Sequence, residues 1–137
     1  MRTLFIIPLA LMSMLSSPSL GETTDDLVLR AGLYYKKFTA VPFTGDIEGR
    51  WQGTMKDGKK EGLWHFYHEN GQLKRKGEFK NGWMQGPWVR YWDNGQLSLK
   101  GGYKNGKKEG VFEAFDRKGK IYERMSGTFK NGVKISD

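Results

Sequence analysis

A ladder of turn glycines constrains this chain more than any other feature. Gly58, Gly71, Gly82, Gly95, Gly106, Gly119 and Gly132 recur at intervals of 13, 11, 13, 11, 13 and 13 residues. Six of the seven follow Asn or Asp, as in Asp57-Gly58, Asn70-Gly71 and Asn81-Gly82. Such dipeptides suit type I′ turns, which need φ > 0 at both central residues. Glycine has no Cβ to clash there, and Asn tolerates the left-handed region. Between the turns lie short segments rich in aromatic and β-branched residues, LWHFYHE, PWVRYWD and VFEAFD. They are too short for helices and read as strands. The fold expected is all-β: an elongated antiparallel hairpin meander, or solenoid, of 24-residue units with two strands each. Every unit needs its neighbours to bury its aromatic face.

The units run 53–76, 77–100 and 101–126, with a truncated copy at 127–137. The last glycine interval is two residues longer than the alternation requires, which places an insertion between Ile121 and Phe129 and predicts a longer strand or a bulge there. Aligning the copies gives four apolar columns: Trp64, Trp88, Phe112; Tyr67, Tyr91, Phe115; Leu73, Leu97, Ile121; and Met55, Phe79, Tyr103, Phe129. Large aromatics bury ~150–250 Å² each, so these columns should hold the stack together. Gly62, Gly86 and Gly110 precede each aromatic strand and predict a bulge or a close backbone approach. Trp64 and Tyr67 point to opposite faces of a regular strand, so either both faces carry aromatics or a bulge intervenes.

Other columns differ between copies. Trp83 stands where the other units have Lys59, Lys107 and Val133; Trp92 where they have His68 and Asp116; Arg90 where they have Phe66 and Ala114. Two unmatched tryptophans and an arginine in the central unit form a candidate binding surface, since Trp and Arg dominate interface energetics; local repacking is the other reading. The chain is basic, with 23 Lys+Arg against 15 Asp+Glu and a net charge of +8. In a meander, alternate turns lie on opposite edges. One edge should be basic, carrying Lys56, Lys80, Lys104, Lys107, Lys108 and Lys130, tempered by Glu61 and Glu109; the other should be mixed. Such lysines can hold a protein near an anionic bilayer at about 1 kcal/mol each or steer an acidic partner. They can equally keep exposed sheet edges from pairing with other molecules.

Residues 1–21 read as a signal peptide helix. Arg2 supplies a positive start, and Leu4 to Leu15 is an apolar run of 12 residues, short for a ~30 Å hydrocarbon core. Ser19 and Gly21 then fit a small-residue cleavage site before Glu22. The expectation is an exported chain, periplasmic or extracellular, with a cap and lead-in strands at 22–52. The same segment would serve as an anchor if left uncleaved.

The 24-residue unit with its KNG turns, GxW strands and ENGQL turns resembles the bacterial variant of the MORN repeat over about 53–137. Chains of this kind are commonly labelled antitoxins of the YwqK type, and VPFTG at 41–45 resembles the lead-in before such arrays. The resemblance implies a β-hairpin array with one or two lead-in strands. It also implies a binding role toward proteins or phospholipid membranes, and no catalytic residues. A cytoplasmic antitoxin would carry no export signal, whereas an immunity protein acting outside the cytoplasm would.

The residues themselves offer no reaction chemistry. There is no cysteine, which removes disulfides, thiolate metal sites and a cysteine nucleophile. His65 and His68 fall on opposite faces without acidic company at ligand spacing. No GxSxG elbow occurs. Asp46 and Glu48 share a strand face, a common solvent-side pairing. The expected function is an exported protein-binding module without cofactor or metal, antitoxin- or immunity-like and monomeric; the alternative is an envelope-surface adaptor. Nucleic acid is not an expected partner of an exported chain.

Overall fold

The computed structural model describes residues 21–137. Apart from Gly21, the segment 1–21 read as a signal peptide lies outside the described residues. The described chain contains β1 (Glu22–Thr23), β2 (Leu27–Arg30), β3 (Leu33–Lys36), β4 (Gly45–Glu48), β5 (Trp51–Lys56), β6 (Lys59–Tyr67), β7 (Leu73–Lys80), β8 (Trp83–Tyr91), β9 (Leu97–Lys104), β10 (Lys107–Ala114), β11 (Gly127–Lys130) and β12 (Val133–Ser136). Ten of them form one sheet in the order β1-β4-β5-β6-β7-β8-β9-β10-β11-β12. All neighbours are antiparallel except β1 with β4. This is the all-β meander that the glycine ladder predicts.

The lead-in is richer than expected: residues 22–52 hold β1 to β4, not one or two strands. The separate hairpin β2–β3 turns at Ala31-Gly32 with φ of +48° and +79°. It docks on the repeats through Tyr34, whose backbone N–H donates to Gly58 O at 2.9 Å.

The turns are of two kinds, and only one was foreseen. On the first edge, Asp57-Gly58, Asn81-Gly82, Asn105-Gly106 and Asn131-Gly132 all have positive φ at both residues, the type I′ signature. On the second edge only the glycines, Gly71, Gly95 and Gly119, are left-handed, at +84°, +84° and +85°. There Gly71 N–H donates to His68 O (3.0 Å) and His68 N–H to Gln72 O (2.8 Å). This is the three-residue loop class that ends on one left-handed residue. The Asn side chains are engaged instead. Asn70 Oδ1 accepts from Gln72 N–H at 3.0 Å, and its Nδ2 donates to Asp93 O of the next unit at 2.7 Å. Asn94 repeats this with Gln96 N–H (3.0 Å) and Arg117 O (3.2 Å).

A bulge forms at each of Gly62, Gly86 and Gly110. Gln85 lies opposite Glu78 and Trp88 opposite Gly77, so Gly86 and Pro87 have no partner on β7, although both pair with β9. Those two residues are the difference between the 13- and 11-residue intervals. The alternative of close backbone approach does not hold there, because nothing lies within 4 Å of a Cβ placed on any of the three. Close approach occurs at Gly53, Gly77 and Gly101. A Cβ at these positions would come within 2.3, 2.2 and 2.4 Å of the Trp64, Trp88 and Phe112 rings.

Each ring thus lies flat on a glycine of the preceding strand, and Trp64 and Trp88 donate their indole N–H to Thr54 O and Glu78 O. Phe79, Tyr103 and Phe129 fill the gaps edge-on. A continuous zigzag results, Trp64–Phe79–Trp88–Tyr103–Phe112–Phe129, with centroid spacings of 6.3, 5.1, 6.2, 5.4 and 5.3 Å. Such edge-to-face pairs contribute roughly 0.5–1.5 kcal/mol each beyond their burial. Both faces do carry aromatics: Trp64 and Phe66 stack within, while His65 and Tyr67 stack on the other side. The insertion near residue 121 is neither a longer strand nor a bulge but a 3-10 turn, Glu123–Met125. Met125 N–H donates to Tyr122 O, and Ser126 Oγ accepts from Ala114 N–H at 3.0 Å.

Candidate binding site on the inner face

The inner face presents side chains in rows that cross the strands. Nearest the first edge are the cross-strand pairs Met55/Lys60, Phe79/Met84 and Tyr103/Lys108. The middle row alternates glycine with the buried rings. The third row runs Trp51, Phe66, Arg75, Arg90, Leu99, Ala114 in unbroken register. Its three cross-strand pairs are equivalent positions of successive units: Trp51/Phe66, Arg75/Arg90 and Leu99/Ala114. Only the central unit replaces an apolar pair with two cations. Like charges directly opposite each other in an antiparallel pair are destabilising.

The arginines have an apolar setting. The Arg75 guanidinium lies 4.2 Å above the Phe66 ring, and its Nε is buried without a hydrogen-bond partner. Burial, and after it the neighbouring Arg90 charge, holds Arg75 below the usual guanidinium value. Lys60 is lowered by burial and then by Arg75; Lys108 by burial and then by Arg90. Burial raises Tyr103, which both arginines oppose. Four cations therefore share this face and feel one another. The ion pairs among the described residues are Lys36–Glu22, Arg50–Glu69, Lys100–Glu113, Arg117–Asp93 and Lys134–Asp137. None involves Lys60, Arg75, Arg90 or Lys108.

Beside Arg90 the face opens into a hollow of about 600 Å³. Arg90, Trp92, Leu99, Ala114, Tyr122 and Met125 line it, together with the charged Asp116, Arg117 and Lys118. The inserted 3-10 turn thus helps to build the hollow. Ser98 Oγ, also in its lining, is buried without a partner. Trp92 is held rather than loose: its Nε1–H donates to Phe115 O at 3.0 Å, and Arg117 sits 5.0 Å over its ring.

The structure divides the three residues that stood out in the central unit. Arg90 and Trp92 come together at the hollow. Trp83 sits at the far end of β8, roughly 25 Å away at ~3.3 Å per residue. It is 63% exposed, its ring lies against Gly106, and with Leu33 and Lys59 it lines a separate depression. The split follows from the meander, because residues 83 and 92 adjoin turns on opposite edges. Lys56, Lys80, Lys104, Lys107 and Lys130 are exposed on or beside the first-edge turns. Lys108 departs from that expectation. It turns onto the inner face, 4.9 and 4.6 Å from the Phe112 and Phe129 rings. Glu61 and Glu109 do more than temper the edge: each accepts from the turn N–H of the next unit, Asn81 at 2.9 Å and Asn131 at 3.0 Å. Gln85 does the same for Asn105.

Arg75, Ser98, Tyr122 and Met125 did not stand out in the sequence. The column Trp51/Arg75/Leu99 carried the signal for Arg75, but Trp51 precedes the first unit as drawn from Gly53.

Residues 60–81 and 84–105 match the family model described as the MORN repeat variant. Each match starts just after a first-edge turn and runs to the next, so it spans one hairpin. No curated protein sequence matches the chain.

Proposed function

We propose that this chain is an exported protein-recognition module that binds its partner on the inner face of the repeat sheet. MORN repeats are binding repeats, and the match to two of them supports binding over catalysis. The observation that carries the reading is the apolar hollow beside Arg90 and Trp92, adjoining cations that no carboxylate of the described residues neutralises. A buried apolar centre with Trp and Arg at its margin is the composition of a protein interface core. Export rests on the apolar run at 4–15 and the small residues before Glu22. Under that reading, an antitoxin- or immunity-like role means neutralising a partner outside the cytoplasm by binding it.

A second reading keeps the exposed first-edge lysines as the functional element, which makes the chain an adaptor on anionic envelope surfaces. One experiment separates the two. The 22–137 chain is presented to envelope extract and, in parallel, to vesicles containing phosphatidylglycerol. Retention of a specific protein at moderate salt, lost in Arg90→Ala, supports recognition by the inner face. Vesicle capture that fades with salt, with no protein retained, supports the adaptor and overturns the first reading.

A further inference from the structure

We propose that the cross-strand pair Arg75/Arg90 is a receptor for a carboxylate of an acidic, extended partner segment, whose neighbouring apolar side chain enters the hollow beside Arg90. The inference rests on protein recognition by the inner face and specifies its chemistry. Three independent features lead to it. First, the copies serve as controls: the same positions are Trp51/Phe66 and Leu99/Ala114 in the flanking units, so the fold does not require arginine there. Second, the pair is a local cost to the free protein. Two like charges oppose each other across the strands, and Arg75 keeps a buried Nε without an acceptor. A carboxylate placed between the two guanidinium groups removes the like-charge penalty, and a guanidinium can hold it through two parallel N–H···O contacts. Third, the charge is unanswered, with Lys60 and Lys108 on the same face and no ion pair to any of the four among the described residues.

The hollow selects what accompanies the carboxylate. Leu99, Ala114, Tyr122 and Met125 give it a mainly apolar lining, with Asp116, Arg117 and Lys118 lining it as well, and its volume of about 600 Å³ accommodates one or two large side chains. An extended segment presents alternate residues to the same side. An acidic residue with an apolar one two positions away therefore matches the two subsites.

The test uses the 22–137 chain and defined probes. They are an acetylated, amidated hexapeptide alternating Glu and Leu, its Gln-for-Glu counterpart, and sodium phosphate. Binding is followed by titration calorimetry at low and moderate salt. The expected result is that the Glu peptide binds and the Gln peptide binds at least about tenfold more weakly, a loss of ~1.4 kcal/mol. Arg75→Gln with Arg90→Gln should produce the same loss, while Lys80→Gln with Lys104→Gln on the edge leaves binding unchanged. A melting curve of the arginine double variant at or above wild type separates lost binding from lost folding. Equal binding of the Glu and Gln peptides, wild-type binding by the arginine variant, or no binding to the wild type overturns the proposal. Phosphate bound more tightly than the Glu peptide through the same arginines overturns the carboxylate assignment. If the wild type retains the envelope protein and Arg90→Ala loses it, while the Glu and Gln peptides bind equally, recognition by the inner face stands and the carboxylate receptor fails.

Discussion

At the scale of single residues, glycine does two unlike jobs in this chain. The turn glycines are needed for their backbone angles. Gly53, Gly77 and Gly101 are needed for what they lack, because an aromatic ring of the next strand occupies the space of a Cβ. Gly77→Ala places a methyl 2.2 Å from the buried Trp88 ring. That ring is hemmed in by Phe66 and Phe79 and tied to Glu78 O, so it cannot move aside cheaply. The expected cost is about 1–3 kcal/mol, the range for overpacked cores. It should be read as a lower urea midpoint with an unchanged slope. The twin-glycine step Gly101-Gly102 follows from the same logic: Gly101 lies under Phe112, and a Cβ on Gly102 would meet Glu109 O at 3.1 Å.

At the scale of elements, the two edges are stitched by different chemistry. On the first edge a Glu or Gln caps the next unit's turn N–H, while on the second edge an Asn amide reaches the next unit's carbonyl. Asn94→Ala removes two hydrogen bonds, one within its own turn and one to Arg117 O. Asn94→Asp keeps the acceptor and loses only the inter-unit donor. A typical intramolecular hydrogen bond contributes about 0.5–1.5 kcal/mol net. Melting curves should therefore rank wild type above Asn94→Asp and that above Asn94→Ala. Equal values for all three would mean that the stitch carries no stability. His68 Nε2 meets Tyr91 O at 2.9 Å and Trp92 Nε1 meets Phe115 O at 3.0 Å, an equivalent contact one unit apart. The unmatched Trp92 therefore preserves a structural link while adding a ring to the hollow.

At the scale of the whole molecule, the sheet is a one-dimensional array whose units contact only their neighbours, and its stability is close to a sum over interfaces. The core has two buried clusters, one around Met55, Trp64, Phe66 and Trp88, the other around Leu99, Phe112 and Ala114. Tyr103 packs against both. Its ring stands edge-on to Trp88 at 6.2 Å and to Phe112 at 5.4 Å. Tyr103→Ala should cost roughly 3 kcal/mol, as large aromatic truncations do, and should uncouple the ends. Hydrogen exchange should accelerate across β10 to β12 while β5 to β7 stay protected. Uniform acceleration along the array would show a single cooperative unit instead.

The sequence by itself determined the repeat, because the turn glycines, the bulge and the ring columns act within one hairpin or between adjacent ones. Local backbone angles and nearest-neighbour packing are written directly into a 24-residue period. It also marked Arg90 and Trp92 as departures from that period. Only the tertiary structure decided which departures share a site. Strand register put Arg75 beside Arg90, the alternation of edges parted Trp83 from both, and an insertion more than twenty residues on brought Tyr122 and Met125 to the hollow. Lys108 reads like an edge lysine in its turn, yet its long apolar stem and charged tip settle over Phe112 and Phe129. The physical reason is the same in each case: a site depends on which side chains from different units face one another, and the period of one unit does not encode that.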